Sequence, residues 1–205
     1  MEIGKVENRI DLGMSSSAQS VRAAQLILES VGEDPTREGL LKTPIRYARS
    51  LAAMTAGYQL TPKEAAGQGI FEAESSGLVS VQDIEFYSMC EHHLVPFWGK
   101  ASVAYYPNEK ILGLSKIPRI LDVFAKRFQV QERITRQVAE AVVELILPRA
   151  VFVRIDSFHM CMMMRGVEKQ SAKTITEFSL GESDLTPQEV SRAWASLVSN
   201  PALKP

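Results

Sequence analysis

The sequence predicts an α+β fold built on an antiparallel sheet, and three observations carry that reading. Apolar residues recur at helical spacing near both ends of the chain. Between them, two strand-like runs, two helical runs and two more strand-like runs follow in that order. Turn-forming residues separate the runs, and no repeat or low-complexity tract interrupts them.

Each element has a local reason. Ser15–Ser17 are caps for a first helix, whose apolar positions are Val21, Ala24, Leu28 and Val31 and which Gly32 ends. Thr43-Pro44 opens a second helix, because proline suits the first helical position. Its face is Tyr47, Leu51 and Met54, and Gly57 ends it. After a Gly- and Ser-rich stretch at 67–77 the period changes. LVSVQDIEFYS (78–88) and KASVAYY (100–106) read as strands. Ser115 to Arg127 reads as a helix, and so does Val130 to Leu147, where Ile134, Val138, Ala141, Val142 and Leu145 align. VFVRIDSFHMC (151–161) and KTITEFSL (173–180) are again strand-like. Thr186-Pro187-Gln188-Glu189 is a capping box for a last helix with Val190, Trp194 and Leu197 on one face. The expected organisation is a helical segment at 1–77, a β-β-α-α-β-β segment at 78–181 and a helical tail at 182–205.

Composition narrows the function classes. A chain of 205 residues with 45% hydrophobic content buries a core without staples. Lys plus Arg number 23 against 24 for Asp plus Glu, a balance that argues against non-specific nucleic-acid binding. No apolar run approaches the ~20 residues of a membrane span. The opening MEIGKVENRIDLG lacks the apolar stretch of a secretory signal, so a cytoplasmic location is expected. Two cysteines in such a chain do not make a disulfide framework. All three histidines and both cysteines fall in two stretches, 90–93 and 159–161.

That clustering points to a metal. Cys90-Glu91-His92-His93 sets a thiolate and an imidazole three residues apart, and sulfur with imidazole is the donor set zinc prefers. His92, between the two, must point elsewhere and stays free for chemistry. If the second stretch remains extended, alternation puts His159, Cys161, Met163 and Arg165 on one face and Met160, Met162 and Met164 on the other. With Cys161 as third ligand, His159 lies beside the metal. Three protein ligands leave a fourth position for water, the mark of a catalytic site, and zinc brings the pKa of such a water to about 7. The plainer readings are that a lone buried Cys is a small hydrophobe and that a His-His pair is a surface turn. The methionines read as core filler rather than ligands.

The strings GEDPTREGLLKTPIRYA, SMCEHHLVPFWGKASVAYYP, LGLSKIPRI, QVQERIT and HMCMMMRGV, in this order, closely resemble GTP cyclohydrolase I, from about Val31 to Gly181. The resemblance implies a tunnelling fold with a ββααββ unit, assembled into toroidal homodecamers with active sites at subunit interfaces. It implies conversion of GTP to 7,8-dihydroneopterin triphosphate and formate, the entry step of folate or tetrahydrobiopterin synthesis. Cys90, His93 and Cys161 correspond to the ligands of one zinc per subunit, and His92 and His159 to catalytic histidines; no organic cofactor is implied. Gln131 and Glu132 match the guanine-reading pair. One carboxylate accepts both N–H groups of guanine's pairing edge, although an acid in a helix's first turn also suits the dipole. Ser115, Lys116, Arg119 and Arg165 match the triphosphate set, with Arg46 as an additional phosphate contact. Lys116 and Arg119 lie three apart on one helix face, where an ordinary solvated face is the plainer reading; for Ser115 it is a helix cap. In the implied reaction, water activated at the metal attacks carbon 8 while His159 protonates the adjacent ring nitrogen. His92, with Ser115, assists ribose opening.

Two features depart from the family's pattern. Glu177 and Phe178 interrupt the small hydroxyl residues expected in the last strand, and the tail after Gly181 lacks the particular arginine-containing stretch that the family pattern leads one to expect there. Two rival readings are a zinc-stabilised pterin- or nucleotide-binding module without catalysis and a tunnelling-fold enzyme for another purine or pterin. Intact His92, His159, Gln131 and Glu132 count against both. The downstream pathway and any regulatory partner are not legible in the sequence.

Overall fold

A computed structural model describes residues 14–198; the signal-peptide reading of residues 1–13 lies outside the described residues. The chain divides into two units, Met1–Ala56 and Gly57–Pro205. In the first, α1 (Met14–Ser30) packs on α2 (Thr43–Met54). Gly32 in the left-handed region (φ +83°) lets the chain turn away from α1. Ala24 is buried on α1, as the spacing requires, but Val31 is largely exposed beyond the helix end. On α2 the buried positions are Pro44, Ala48 and Ala52, so the buried face is one residue away from the expected Tyr47–Leu51–Met54 face. Small residues let a partner backbone approach, and the larger side chains stand at its flanks.

In the second unit a capping box of Thr61 and Glu64 starts α3 (Pro62–Ala66), and β1 (Ile70–Glu72) pairs with β4 (Lys110–Leu112). The main sheet has the order β5-β2-β3-β6-β7. Its strands are β2 (Val79–Cys90), β3 (Pro96–Tyr106), β5 (Phe128–Gln129), β6 (Ala150–His159) and β7 (Thr174–Leu180). All neighbours are antiparallel except β2 and β5. The predicted α+β class with an antiparallel sheet is therefore present.

Two helices on one face of this sheet make the main core. α4 (Lys116–Ala125) contributes Ile117, Ile120, Leu121 and Phe124, and α5 (Gln131–Ile146) contributes Ile134, Val138, Val142 and Ile146. They meet Phe86, Phe97, Val103, Tyr105, Val151, Val153 and Ile155. The other face is covered at one end by α7 (Pro187–Ala195): Ala104, Tyr106, Ala150 and Phe152 pack on Ala193 and Leu197. The run Ala150–Val153 is thus apolar at every position because both faces are covered there.

The sheet's polar end accounts for the unusual β7. Glu177 lies opposite Arg154 and pairs with it at 2.6 Å, while Phe178 points to the main core. Arg154 also holds Asp156, and Lys173 reaches Asp156 at 2.6 Å. Burial pushes the Asp156 carboxyl up, but hydrogen bonds from Arg154 and Lys173 outweigh it and hold the group below its ordinary range.

The strand reading of 151–161 needs correction. β6 stops at His159, and Met160–Met163 form one helical turn, α6. None of these four methionines is core: Met160, Met162 and Met163 are half-buried and Met164 is 59% exposed. An unbranched side chain on a turn beyond the last sheet pair has no second layer to bury it.

Gly99 shows how tightly β3 and β6 approach. It pairs with Ser157, and a Cβ on it would stand 2.0 Å from the Asp156 carbonyl oxygen and 2.6 Å from Ser157 Cα. Both contacts are backbone, so neither yields cheaply. Gly99→Ala should destabilise the chain by about 1–3 kcal/mol. Denaturant unfolding should show a lower midpoint at unchanged slope; an unchanged midpoint would mean that the strands can part without cost.

Candidate active site

The site forms where three element ends meet. β2 ends at Cys90, and the chain turns at once: Cys90 O accepts from Leu94 N at 2.8 Å, and Cys90 N donates to Val95 O at 2.9 Å. Leu94 takes φ +52° to close this turn, a strained conformation for a leucine of the kind that concentrates at functional sites. The turn folds His93 back over Cys90, with Nδ1 3.6 Å from Sγ. Cys161 arrives from α6, and one donor atom from each of Cys90, His93 and Cys161 lies within 4.8 Å of the others. Cys161 reaches this position through a helical turn, not through strand alternation.

These three residues fit zinc. Tetrahedral zinc with Zn–S near 2.3 Å and Zn–N near 2.0–2.1 Å spaces its donors by about 3.5–3.8 Å, which the Cys90–His93 pair already meets. Burial, then the neighbouring Cys90, pushes the Cys161 thiol up, since two thiolates repel without a cation. A divalent ion reverses that balance. His93 is pushed down, by loss of water first and then by the Arg165 and His92 charges, which favours the neutral imidazole that binds metal.

His159 ends β6 beside this cluster. Its ring stacks on Phe97, its cross-strand partner, at 4.5 Å between centroids and 3° between planes. Its Nε2 lies 2.9 Å from Gln131 Oε1. Burial lowers the His159 pKa, and the Glu132 carboxylate opposes that shift. Glu132 is exposed in the first turn of α5, on the same helical end as Gln131. Gln131, expected beside Glu132 as a reader of guanine, is buried instead and 1% exposed.

The remaining expected residues fall into separate groups. Arg165 is exposed after α6, and its charge reaches His93 and Cys161. His92 points outward, with its ring 6.2 Å from that of His93 and its Nε2 3.8 Å from Glu91. Ser115 sits at the N-cap of α4, yet its side chain makes no capping bond, so the plain cap reading does not account for it. Lys116 runs its stem across Gly69, and Arg119 is exposed on the same helix. No hydrogen bond or ion pair among the described residues joins this α4 group to the metal cluster. Arg46 is exposed on α2 in the first unit.

Sequence reasoning missed the pair that braces the metal turn. Arg133 grips Glu91 with both terminal nitrogens, Nη2 to Oε1 at 3.0 Å and Nη1 to Oε2. The hydrogen bond from Arg133 holds the Glu91 carboxyl below its ordinary range. Glu91 N also donates to Gln129 O at 3.0 Å. The 42-residue separation carries no local signal; an acid between two ligand positions was the one available hint.

Cys161→Ala should lose zinc outright. Arg133→Met, or Glu91→Gln, should release it about 10–100-fold faster to a chelator, the usual cost of losing an outer-shell partner. The double variant should be no worse than either single one. Stoichiometric zinc in Cys161→Ala would remove it from the ligand set; unchanged release in Arg133→Met would leave the clamp without a role at the metal.

The sequence pattern defining the GTP cyclohydrolase I family matches residues 20–198. The chain is 55% identical over 154 residues to GTP cyclohydrolase 1 of Deinococcus radiodurans, covering 75% of this chain and 71% of that protein. It is 54% identical over 155 residues to the protein of that name from Leptospira biflexa, covering 76% and 85%. With that from Chlorobaculum tepidum it shares 49% over 178 residues, covering 87% and 79%.

Proposed function

The chain belongs to the GTP cyclohydrolase I family, and we infer from its site how its own residues convert GTP to 7,8-dihydroneopterin triphosphate and formate. The activity is that of a hydrolase feeding pterin or folate synthesis. One observation carries the residue assignment: Cys90, His93 and Cys161 converge, with His159 held beside them.

Zinc, one per chain, is the metal we assign; when bound it supplies Lewis acidity and a water of lowered pKa. No organic cofactor is required. His159 gives its proton to the purine ring nitrogen next to carbon 8, which makes that carbon electrophilic. Phe97 keeps the imidazole in one plane while this happens. Water adds to carbon 8 and its bond to the ribose-bearing nitrogen breaks, opening the five-membered ring; a second water releases carbon 8 from the other nitrogen as formate, and closure of the pterin ring returns one water. His92, exposed at the rim, assists the opening of the ribose, and Ser115 has a free side chain for the same rearrangement. Glu132 accepts both N–H groups of guanine's pairing edge. Lys116, Arg119 and Arg165 meet the triphosphate.

We assign catalysis to residues 78–181, flanked by 1–77 and 182–205, and read that segment as a tunnelling-fold ββααββ unit. The order of β2, β3, α4, α5, β6 and β7 supports this. A toroidal homodecamer with sites between subunits suits an edge of β7 that no described strand pairs. Among the described residues no helix is long and apolar enough to cross a membrane. Two reduced cysteines at the site fit the cytoplasm.

GTP should be turned over and ATP should not, because adenine presents an acceptor where guanine presents a donor. Leaving a buried polar group unpaired costs about 10⁴-fold in discrimination. Oxidation of the product to a fluorescent neopterin reads this directly. Comparable turnover of ATP, or unchanged GTP binding in Glu132→Ala, places base reading elsewhere.

His159→Ala should keep its zinc and lose about 10²–10⁴-fold in turnover, the usual share of general acid catalysis. Zinc lost with activity would make His159 a ligand. Zinc kept with full activity would put the acid at another residue.

A further inference from the structure

Among the described residues, Gln131 is the one fully buried glutamine side chain whose amide touches a proposed catalytic group. It opens α5 and points into β6 and β7. Its Nε2 has three acceptors: Ile155 O at 2.9 Å, Thr176 Oγ1 at 3.1 Å and Thr174 O at 3.2 Å. Two of these are backbone carbonyls, which only accept, so the amide nitrogen must face them and Oε1 must face the other way. Thr176 does not upset this orientation. Thr135 Oγ1 donates to Gln131 O at 2.8 Å, so at its 2.6 Å contact with Thr176 it is the acceptor. Thr176 therefore donates there and keeps a lone pair for Gln131.

On the opposite side, Oε1 receives Ser157 Oγ and lies 2.9 Å from His159 Nε2. An amide oxygen only accepts, so Nε2 must carry a hydrogen. A neutral imidazole has one N–H, and the lone pair is then on Nδ1.

We propose that Gln131 is a positioning residue that commits Nε2 of His159 to the protein, so that proton transfer to the substrate runs through Nδ1. Every hydrogen-bonding group of the Gln131 amide is engaged within the chain, which leaves guanine reading to Glu132. Phe97 fixes the plane of the ring, and Gln131 fixes which edge of it faces the substrate. The proton that His159 delivers is the one on Nδ1 of the imidazolium; after delivery the ring is the neutral Nε2–H form, which Gln131 continues to hold. The inference rests on His159 being the proton donor, as read above.

Three histidines make a direct test practical. Solid-state 15N NMR of the zinc-loaded protein labelled at histidine should show His159, assigned by its loss in His159→Ala, as the Nε2–H tautomer. Gln131→Met keeps length and removes both polar ends. It should give a mixture of tautomers and lower kcat about 10–100-fold, with zinc content and KM for GTP within about twofold of wild type. Gln131→Glu, which still offers an acceptor to Nε2, should restore the Nε2–H form. An Nδ1–H tautomer in the wild-type protein overturns the proposal, whether or not the variants fold. So does a raised KM with unchanged kcat in Gln131→Met, which would make Gln131 a substrate contact. If His159→Ala stays fully active while the Nε2–H tautomer is seen, the tautomer assignment stands and the role of His159 as acid fails.

Discussion

The register between β3 and β6 is the constraint on which the site depends. Ten consecutive pairs run from Phe97 opposite His159 to Tyr106 opposite Ala150. Because side chains alternate, a slip of one residue would turn every inward group outward. The same register aligns Ile155, Ser157 and His159 on the face toward α5, where Gln131 meets all three. It also brings the end of β6 beside the end of β2, since β3 pairs with both strands. The short chain from His159 to Cys161 then reaches Cys90. Gly99 is the residue that permits so close an approach.

The first turn of α5 spreads three consecutive residues over three tasks. Gln131 is buried and holds His159, Glu132 faces outward, and Arg133 grips the metal turn through Glu91. Successive helical residues differ in direction by about 100°, so a single turn can serve the sheet, the solvent and a neighbouring loop at once. The apolar face farther along α5, from Ile134 to Ile146, anchors this turn against the sheet. These groups are thus tied to the core by burial on one side and by hydrogen bonds and an ion pair on the other.

The opposite sheet face divides into an apolar end under α7 and a charged end. Arg154, Asp156, Lys173 and Glu177 occupy the charged end as a linked set. In a strand that alternates, Glu177 and Phe178 serve different faces: the carboxylate answers Arg154 and the ring fills the helix-covered core. What reads in the sequence as an interruption of β7 is a matched pair across two strands.

The sequence by itself marked the main helices and strands, their order and a candidate donor pair, Cys90 with His93. Period-two and period-3.6 patterns mark strands and helices because local burial repeats along the chain, and Cys90 with His93 is legible because both donors lie within one turn. The family resemblance then proposed Cys161, His159 and Glu132 as further site residues. Only the tertiary structure decided how Cys161 arrives, by a helical turn after β6 rather than by alternation, and that the methionines around it stay out of the core. It alone paired Glu91 with Arg133 across 42 residues and Gln131 with His159 across 28. Such contacts depend on strand register and helix placement, which are fixed by packing among distant segments and leave no periodic trace along the chain.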